Sequence, residues 1–440
     1  MSPKTNIPLF NLTQIIVGIV AFSQGVQHLA DLSIQYLYKD DFHVSPSKMG
    51  VFVGLSQLPW IIKPIWGIVC DSFPILGSKR KAYIVFCGFL SFLGWQLMAY
   101  IGVDNVYVAV SLLIMISSSV CICNVVGEAL MVEQCANDHA ANNVSVFFGF
   151  KAAGGLISAY FSGMLLMYLT KKQIFMINSL FPLTMALLSL KLKETEQTQQ
   201  SQNIKEVLSI FWKFFSNPKI YQPVLLILAF MMVPSSSSIM FYFYTEVLHF
   251  TPRFMGYLKF ISCLGTLLAI LLYRNYLKDV AFKNIFITTT VAFFFCYLTT
   301  IPLVTRMNVK WGIDDRFFCL GDSVILQFIG ELNLLPILVY ACKICPKNIE
   351  ATMYAMLMAT MNLGTFAGGQ IGNLILYEMG INQQDYSKLY IFIALSSLFI
   401  ILPLPWIHLI NDKVMPQEQE QQSAQIEDIE EKQKLIAEAE

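Results

Sequence analysis

Charge is scarce in this chain of 440 residues. Asp, Glu, Lys and Arg make up only 13% of it, and 29 bases balance 29 acids, where a soluble domain carries roughly 25% charged residues. With no net charge, and with aromatics sitting inside apolar runs instead of alternating with bases, nothing offers a surface to nucleic acid. A disulfide framework is missing too, because the ten cysteines fall mostly within hydrophobic stretches, among them Cys70, Cys87, Cys121, Cys123, Cys263 and Cys296. Cys342 and Cys345 form a C-x-x-C, but it closes a hydrophobic run with no second pair or nearby histidine, which argues against metal or redox use. No G-x-x-x-x-G-K-[ST] loop occurs, so direct ATP drive is unsupported. No nucleophile-base pair recommends an enzyme, and no cofactor is expected. The start, MSPKTNIPLFNLTQIIVGIVAF, runs into a stretch long enough to span a bilayer without a cleavage site, which argues against a removable signal.

What is present is hydrophobic length. Apolar residues reach 56%, and windows of about 20 such residues, the length that crosses a bilayer, recur along almost the whole chain. Spans are expected near 10–31, 48–70, 82–102, 106–130, 144–168 and 173–191, then near 221–245, 254–273, 284–305, 318–344, 350–379 and 388–410. The only long hydrophilic interruption falls between the two sets and ends in IKEVLSIFWKFF, which suggests a joint leading into a short interfacial helix. The expected fold is all-α: a membrane protein of twelve helices in two six-helix bundles, 1–192 and 221–412, with a linker at 193–220 and an acidic solvated tail at 413–440. Lys and Arg concentrate in the loops after spans two, six and eight, so these loops and both termini are expected on the cytoplasmic side.

One turn concentrates charge. In KPIWGIVCDSFPILGSKRKAY, residues 63–83, Asp71 precedes Pro74 and Gly77, and Lys79, Arg80 and Lys81 follow. The bland reading is a positive-inside anchor with an incidental acid. The sharper one is a gate, in which Asp71 and the three bases clasp a facing helix end and Gly67 lets that helix approach closely.

G-x-x-x-D followed by a turn and bases resembles the loop between the second and third helices of the major facilitator superfamily. The wider stretch LPWIIKPIWGIVCDSFPILGSKRKAY is similar to the folate-biopterin transporter family. So, in order, are NVVGEALMVE, VPSSSSIMFYFYTEVLHFTPRFMG, LYRNYLKDV, LGDSVI and CPKNIEATMYAMLMATMNLG, and the likeness runs over about residues 10–410. The resemblance implies a major facilitator fold and folate or pterin cargo. The family's fourth helix carries an acid, a second acid four residues on and a third five further. Here Asn124 holds the first place, Glu128 the second and Glu133 the third. A spacing of four sets Asn124 and Glu128 on one face, with Glu133 turned about 140° away.

In such folds helices one, four, seven and ten line the central path, which gives weight to Gln24, Gln27 and His28, to Ser235–Ser238 with Tyr242 and Tyr244, and to Asp322, Gln327, Glu331 and Asn333. Each also has an ordinary reading as a packing group, and Asp322 as a helix cap. Glu128 stands out, because an intramembrane carboxylate needs water, a cation or a ligand. Lys63 and Lys151 are its candidate partners, and a purely structural ion pair is the competing reading. A pterin ring presents adjacent N–H donors to a carboxylate and a flat face to aromatics, while a folate tail needs cations. The expected site is therefore Glu128 and Asn124 with Lys151, Lys63, Ser236, Tyr242, Tyr244, Gln24 and Asn362. Glu128 is also the first carboxylate to consider for proton coupling. Gly-rich runs in span five (FKAAGGLISAYFSG) and span eleven (NLGTFAGGQIG) read as matching, tightly packed surfaces left by an internal duplication. The expected activity is secondary transport of a folate or pterin by a monomer, most simply in the plasma membrane. A transporter-like sensor that binds without moving its ligand, or a carrier of another solute such as S-adenosylmethionine, are the alternatives.

Overall fold

The computed structural model describes residues 12–75, 77–135, 140–192, 218–277, 280, 282–343 and 350–409. The expected linker segment 193–217, the second cysteine of the C-x-x-C and the acidic tail lie outside the described residues, as do the side chains of Asp71 and Glu133. The described chain is helical throughout, in twelve passes: 12–41, 46–72, 81–102, Val106–Cys135, Ala140–Tyr168 and Lys171–Ser189, then 218–247, 252–277, 282–304, Asp315–Lys343, Glu350–Glu378 and 389–409. Eight of these are long and apolar enough to cross a membrane. The second and seventh are cut into shorter helices.

Two ends of the bundle can be told apart by the loops they carry. At the basic end the second pass stops at Ser72, and Ile75 and Ser78 exchange backbone hydrogen bonds of 3.0 and 2.9 Å around Gly77, whose φ of +79° suits glycine. Tyr83 ties this turn down by donating to the Phe73 carbonyl at 2.6 Å. Gly67 does not provide the close approach expected of it, since a Cβ there would sit 3.8 Å from Val125, an ordinary contact.

At the far end lies a repeat that the hydropathy reading passed over. YLYKDDFHVSPSKMG (36–50) and YFYTEVLHFTPRFMG (242–256) match at tyrosine, tyrosine, histidine, proline, methionine and glycine, at a constant offset of 206. Their conformations match as well. Each begins with a widened π turn, Leu37–Asp41 and Phe243–Val247. Each continues through a histidine with positive φ, His43 at 50° and His249 at 51°. Each then starts a helix with proline in its first turn, the position where a missing N–H costs nothing.

The repeat ends on Gly50 and Gly256, and both face the other half. A Cβ on Gly50 would lie 2.1 Å from the Asn373 amide, and one on Gly256 would lie 3.0 Å from Gly163. The two halves thus meet along the second and eleventh passes and along the fifth and eighth. Within each half the expected glycine surfaces also find partners. Gly154 closes on Phe22 and Gly25 of the first pass, while Gly364, Gly368 and Gly372 close on residues 228–235 of the seventh. There the seventh helix is unwound over 232–236, around Pro234.

The cores record the overall posture. One apolar cluster at the far end draws on both halves, with Tyr36, Val44 and Met49 packed among Phe241, Tyr242, Leu376 and Phe392. Toward the basic end each half keeps a separate core, one around Ile84, Val126 and Phe147 and the other around Phe286, Ile337 and Leu357. Among the described residues the halves therefore share a core at the far end and keep separate ones toward the basic end.

Candidate functional site

The second pass is interrupted twice, and Pro59 and Pro64 open its second and third segments, Leu58–Ile61 and Lys63–Ser72. Carbonyls freed by the breaks are taken up by side chains, as a membrane interior requires. Pro59 O accepts from Trp66 Nε1 at 3.1 Å and from the Cys121 thiol at 3.3 Å, and Trp60 O accepts from Asn362 Nδ2 of the other half at 3.1 Å. The second break turns Lys63 toward the fourth pass. Its Nζ donates to both oxygens of Glu128, at 2.8 and 3.0 Å.

The two partners differ in exposure. The Lys63 side chain is 10% exposed and that of Glu128 34%, so the carboxylate forms the open side of the pair. Lys151 of the fifth pass stands close enough to interact electrostatically with both charges, and it has no direct partner among the described residues. One turn before Glu128, buried Asn124 donates to Gln24 Oε1 of the first pass at 2.8 Å, which leaves Asn124 Oδ1 and Gln24 Nε2 buried without partners. Gln24, Lys63, Asn124, Glu128 and Lys151 thus converge from four passes of the first half. The cluster offers a forked acceptor, an amide pair with spare hydrogen-bonding capacity and one cation in excess.

The remaining expected residues lie elsewhere. Tyr242 is buried in the far-end core, with its hydroxyl donating to the Val44 carbonyl across the halves. Tyr244 stacks on Phe250, 5.9 Å between centroids. Ser236 shares a 3.0 Å hydrogen bond with Tyr297. Asn362 is committed to the Trp60 carbonyl. None of these four joins the Glu128 cluster. Lys79, Arg80 and Lys81 follow the basic-end turn, and Arg80 is buried there. Asp322 does not cap a helix. It sits inside Asp315–Lys343 and accepts from Thr299 and Thr300 of the ninth pass at 2.5 and 3.1 Å.

Sequence reasoning missed Asp31, because the first span was closed at residue 31. The pass continues to residue 41, so Asp31 lies inside it, next to the 3-10 turn Gln27–Ala30. Its Oδ2 accepts from Lys259 of the eighth pass at 2.7 Å, and His28 Nδ1 lies 3.0 Å away. Nearer the far end Lys39 reaches Glu246 at 2.9 Å. Both pairs cross from one half to the other. The apolar Leu32, Ile34, Tyr36 and Leu37 beyond it were the signal that the span went on.

Comparison with known proteins agrees with this architecture. Residues 24–429 match the sequence profile of the BT1 family. The chain is 33% identical over 410 residues to the folate-biopterin transporter of Synechocystis sp. (strain ATCC 27184 / PCC 6803 / Kazusa), covering 92% of this chain and 82% of that protein. It is 33% identical over 407 residues to folate transporter 2 of Plasmodium falciparum (isolate 3D7), covering 92% and 89%. Among solved structures it resembles the nucleoside transporter NupG, with a TM-score of 0.70 at 14% identity over 90% of this chain and 99% of that one. It also resembles a D-xylose-proton symporter, with a TM-score of 0.67 at 13% identity over 92% and 99%.

Proposed function

This chain belongs to the BT1 family of folate-biopterin transporters, and from that premise we propose that it carries a folate or pterin across a membrane by alternating access, driven by a proton gradient. Its fold is that of the major facilitator transporters. The observation that carries the reading is the Lys63–Glu128 pair with Lys151 beside it, whose carboxylate side is about one-third exposed. A carboxylate presenting two acceptors matches the parallel N–H donors of a pterin, and the spare cation matches the carboxylates of a folate tail. A shared core at the far end with separate cores toward the basic end supports such a cycle, which needs one side closed at a time.

Radiolabelled folate taken up by proteoliposomes under an imposed pH difference tests this reading. Accumulation that unlabelled folate or biopterin suppresses, and S-adenosylmethionine does not, is the expected result. Tight capture without net flux would instead mark a sensor.

Two predictions belong to the moving parts. Asp71→Ala is expected to leave the protein inserted and to lower folate uptake severalfold, since it removes the acid end of the proposed basic-end clasp. Unchanged uptake at matched expression refutes the clasp. Asp31→Lys should lower uptake about fivefold, in line with the roughly 1 kcal/mol upper range of a partly exposed ion pair. Adding Lys259→Asp should restore most of it. A double variant as poor as the single one removes the pair from the far-end seal.

A further inference from the structure

Four acids lie well inside the described spans, and three of them are committed. Glu128 receives Lys63, Asp31 receives Lys259 with His28 beside it, and Asp322 receives the hydroxyls of Thr299 and Thr300. Glu331 has no hydrogen-bond donor and no cation among the described residues, although it is half-buried. It lies 16 residues after Asp315 and 12 before Lys343, well inside the tenth pass. Ser323, Gln327 and Glu331 recur every four residues along one polar row. Along that row Ser323 is half-buried and Gln327 exposed, with the Gln327 amide donating to Thr266 of the eighth pass at 3.1 Å. The helix meets the ninth pass on another side, through Asp322, Gly330 and Asn333. Ile325, half-exposed and apolar, lies about 120° around from Glu331, where lipid would be.

Among the described residues no other titratable group compensates it. On the eighth pass the nearest are Lys259, already bound to Asp31, and Cys263 toward the far end, with Tyr273 and Arg274 toward the basic end. On the ninth pass Cys296 and Tyr297 lie toward the far end and Lys283 toward the basic end. The eleventh pass has none between Tyr354 and Tyr377. Across the space between the bundles, Lys63 is spent on Glu128, and Lys151 stands beside that pair.

A lone carboxylate is costly to keep ionised away from water and cheap to keep as the neutral acid. Glu128 is in the opposite situation, with an ammonium fixed against it. We propose that Glu331 is the group that takes up and releases the coupled proton, leaving Glu128 to the substrate. Ionised when the space around it is wet and neutral when it closes, Glu331 would cross between postures only with its proton aboard. This inference rests on the proton-coupled reading above and assigns its proton to a residue.

The test uses the full-length protein in proteoliposomes with radiolabelled folate. Wild-type counterflow at equal pH decides the transport reading by itself. Given that flux, Glu331→Gln is expected to keep counterflow within about twofold of wild type and to lose at least tenfold in accumulation under an imposed pH difference. Glu331→Asp, which retains a carboxylate, should recover part of that accumulation. Undiminished gradient-driven accumulation in Glu331→Gln overturns the assignment. So does loss of counterflow in both variants at wild-type yield and melting temperature, because the residue would then serve binding or architecture. Should Glu331→Gln fail to fold, Glu331→Asp decides alone: an unshifted pH profile for accumulation counts against the proposal, and a shifted one supports it.

Discussion

Glu128→Gln should cut folate uptake at least tenfold at matched surface expression, and the double variant Lys63→Met/Glu128→Gln should remain as inactive while regaining thermal stability. The single change leaves a nearly buried ammonium without its partner, and breaking a buried pair costs about 3–5 kcal/mol, less here because Glu128 is one-third exposed. Removing both charges relieves that cost, since a buried ion pair replaced by apolar groups is often neutral for stability. If the pair only braced the second pass against the fourth, uptake would return with stability. If Glu128 receives the ligand's donors, it would not. A melting curve read beside an uptake assay on the three proteins separates the two roles, and full uptake by the double variant removes Glu128 from the binding site.

A second large effect is expected at the seam. Gly163→Leu should reduce uptake more than tenfold, whereas Gly321→Leu should stay within about twofold of wild type. At Gly163 a Cβ would lie 2.1 Å from the Pro252 carbonyl oxygen and 2.9 Å from the Gly256 Cα. Those are backbone atoms of the opposite half, so no side chain can swing away, and the fifth and eighth helices must separate. Overpacking of this kind costs about 1–3 kcal/mol even where repacking is possible. At Gly321 an added Cβ meets nothing within 4 Å. Equal uptake by the two variants would show that the close approach has no part in transport.

Much of this was legible in the chain. Hydrophobic length gave the passes, because a helix crossing lipid must be apolar over its whole height. Glu128 and Lys63 could be paired on paper because two charges held in lipid need each other. Lys151 could be placed near them only loosely, since its long stem leaves the head's position to its neighbours. Asp31 was lost because an acid next to a hydrophobic run looks like the end of that run. Tyr242 and Tyr244 looked like ring-stacking groups for want of one comparison: set beside Tyr36 and Tyr38 they become half of a duplicated corner whose side chains close the far end. Gly67 attracted attention by standing in a motif, whereas Gly25, beside Gln24 in the first span, holds the tighter contact, with a Cβ position 2.3 Å from the Lys151 carbonyl. A glycine's importance here depends on what faces it, and that is a property of another helix.

The unwound stretch at 232–236 divides the seventh pass into two levers of unequal length. A hinge placed there allows the short arm, residues 237–247, to tip while the unwound stretch stays seated on Gly368 and Gly372. Three contacts across the halves involve this arm: Tyr242 on Val44, Lys39 on Glu246 and the edge of Phe241 on Tyr36. In the proposed cycle these eleven residues are the part of the seventh pass that has to shift when the far side opens.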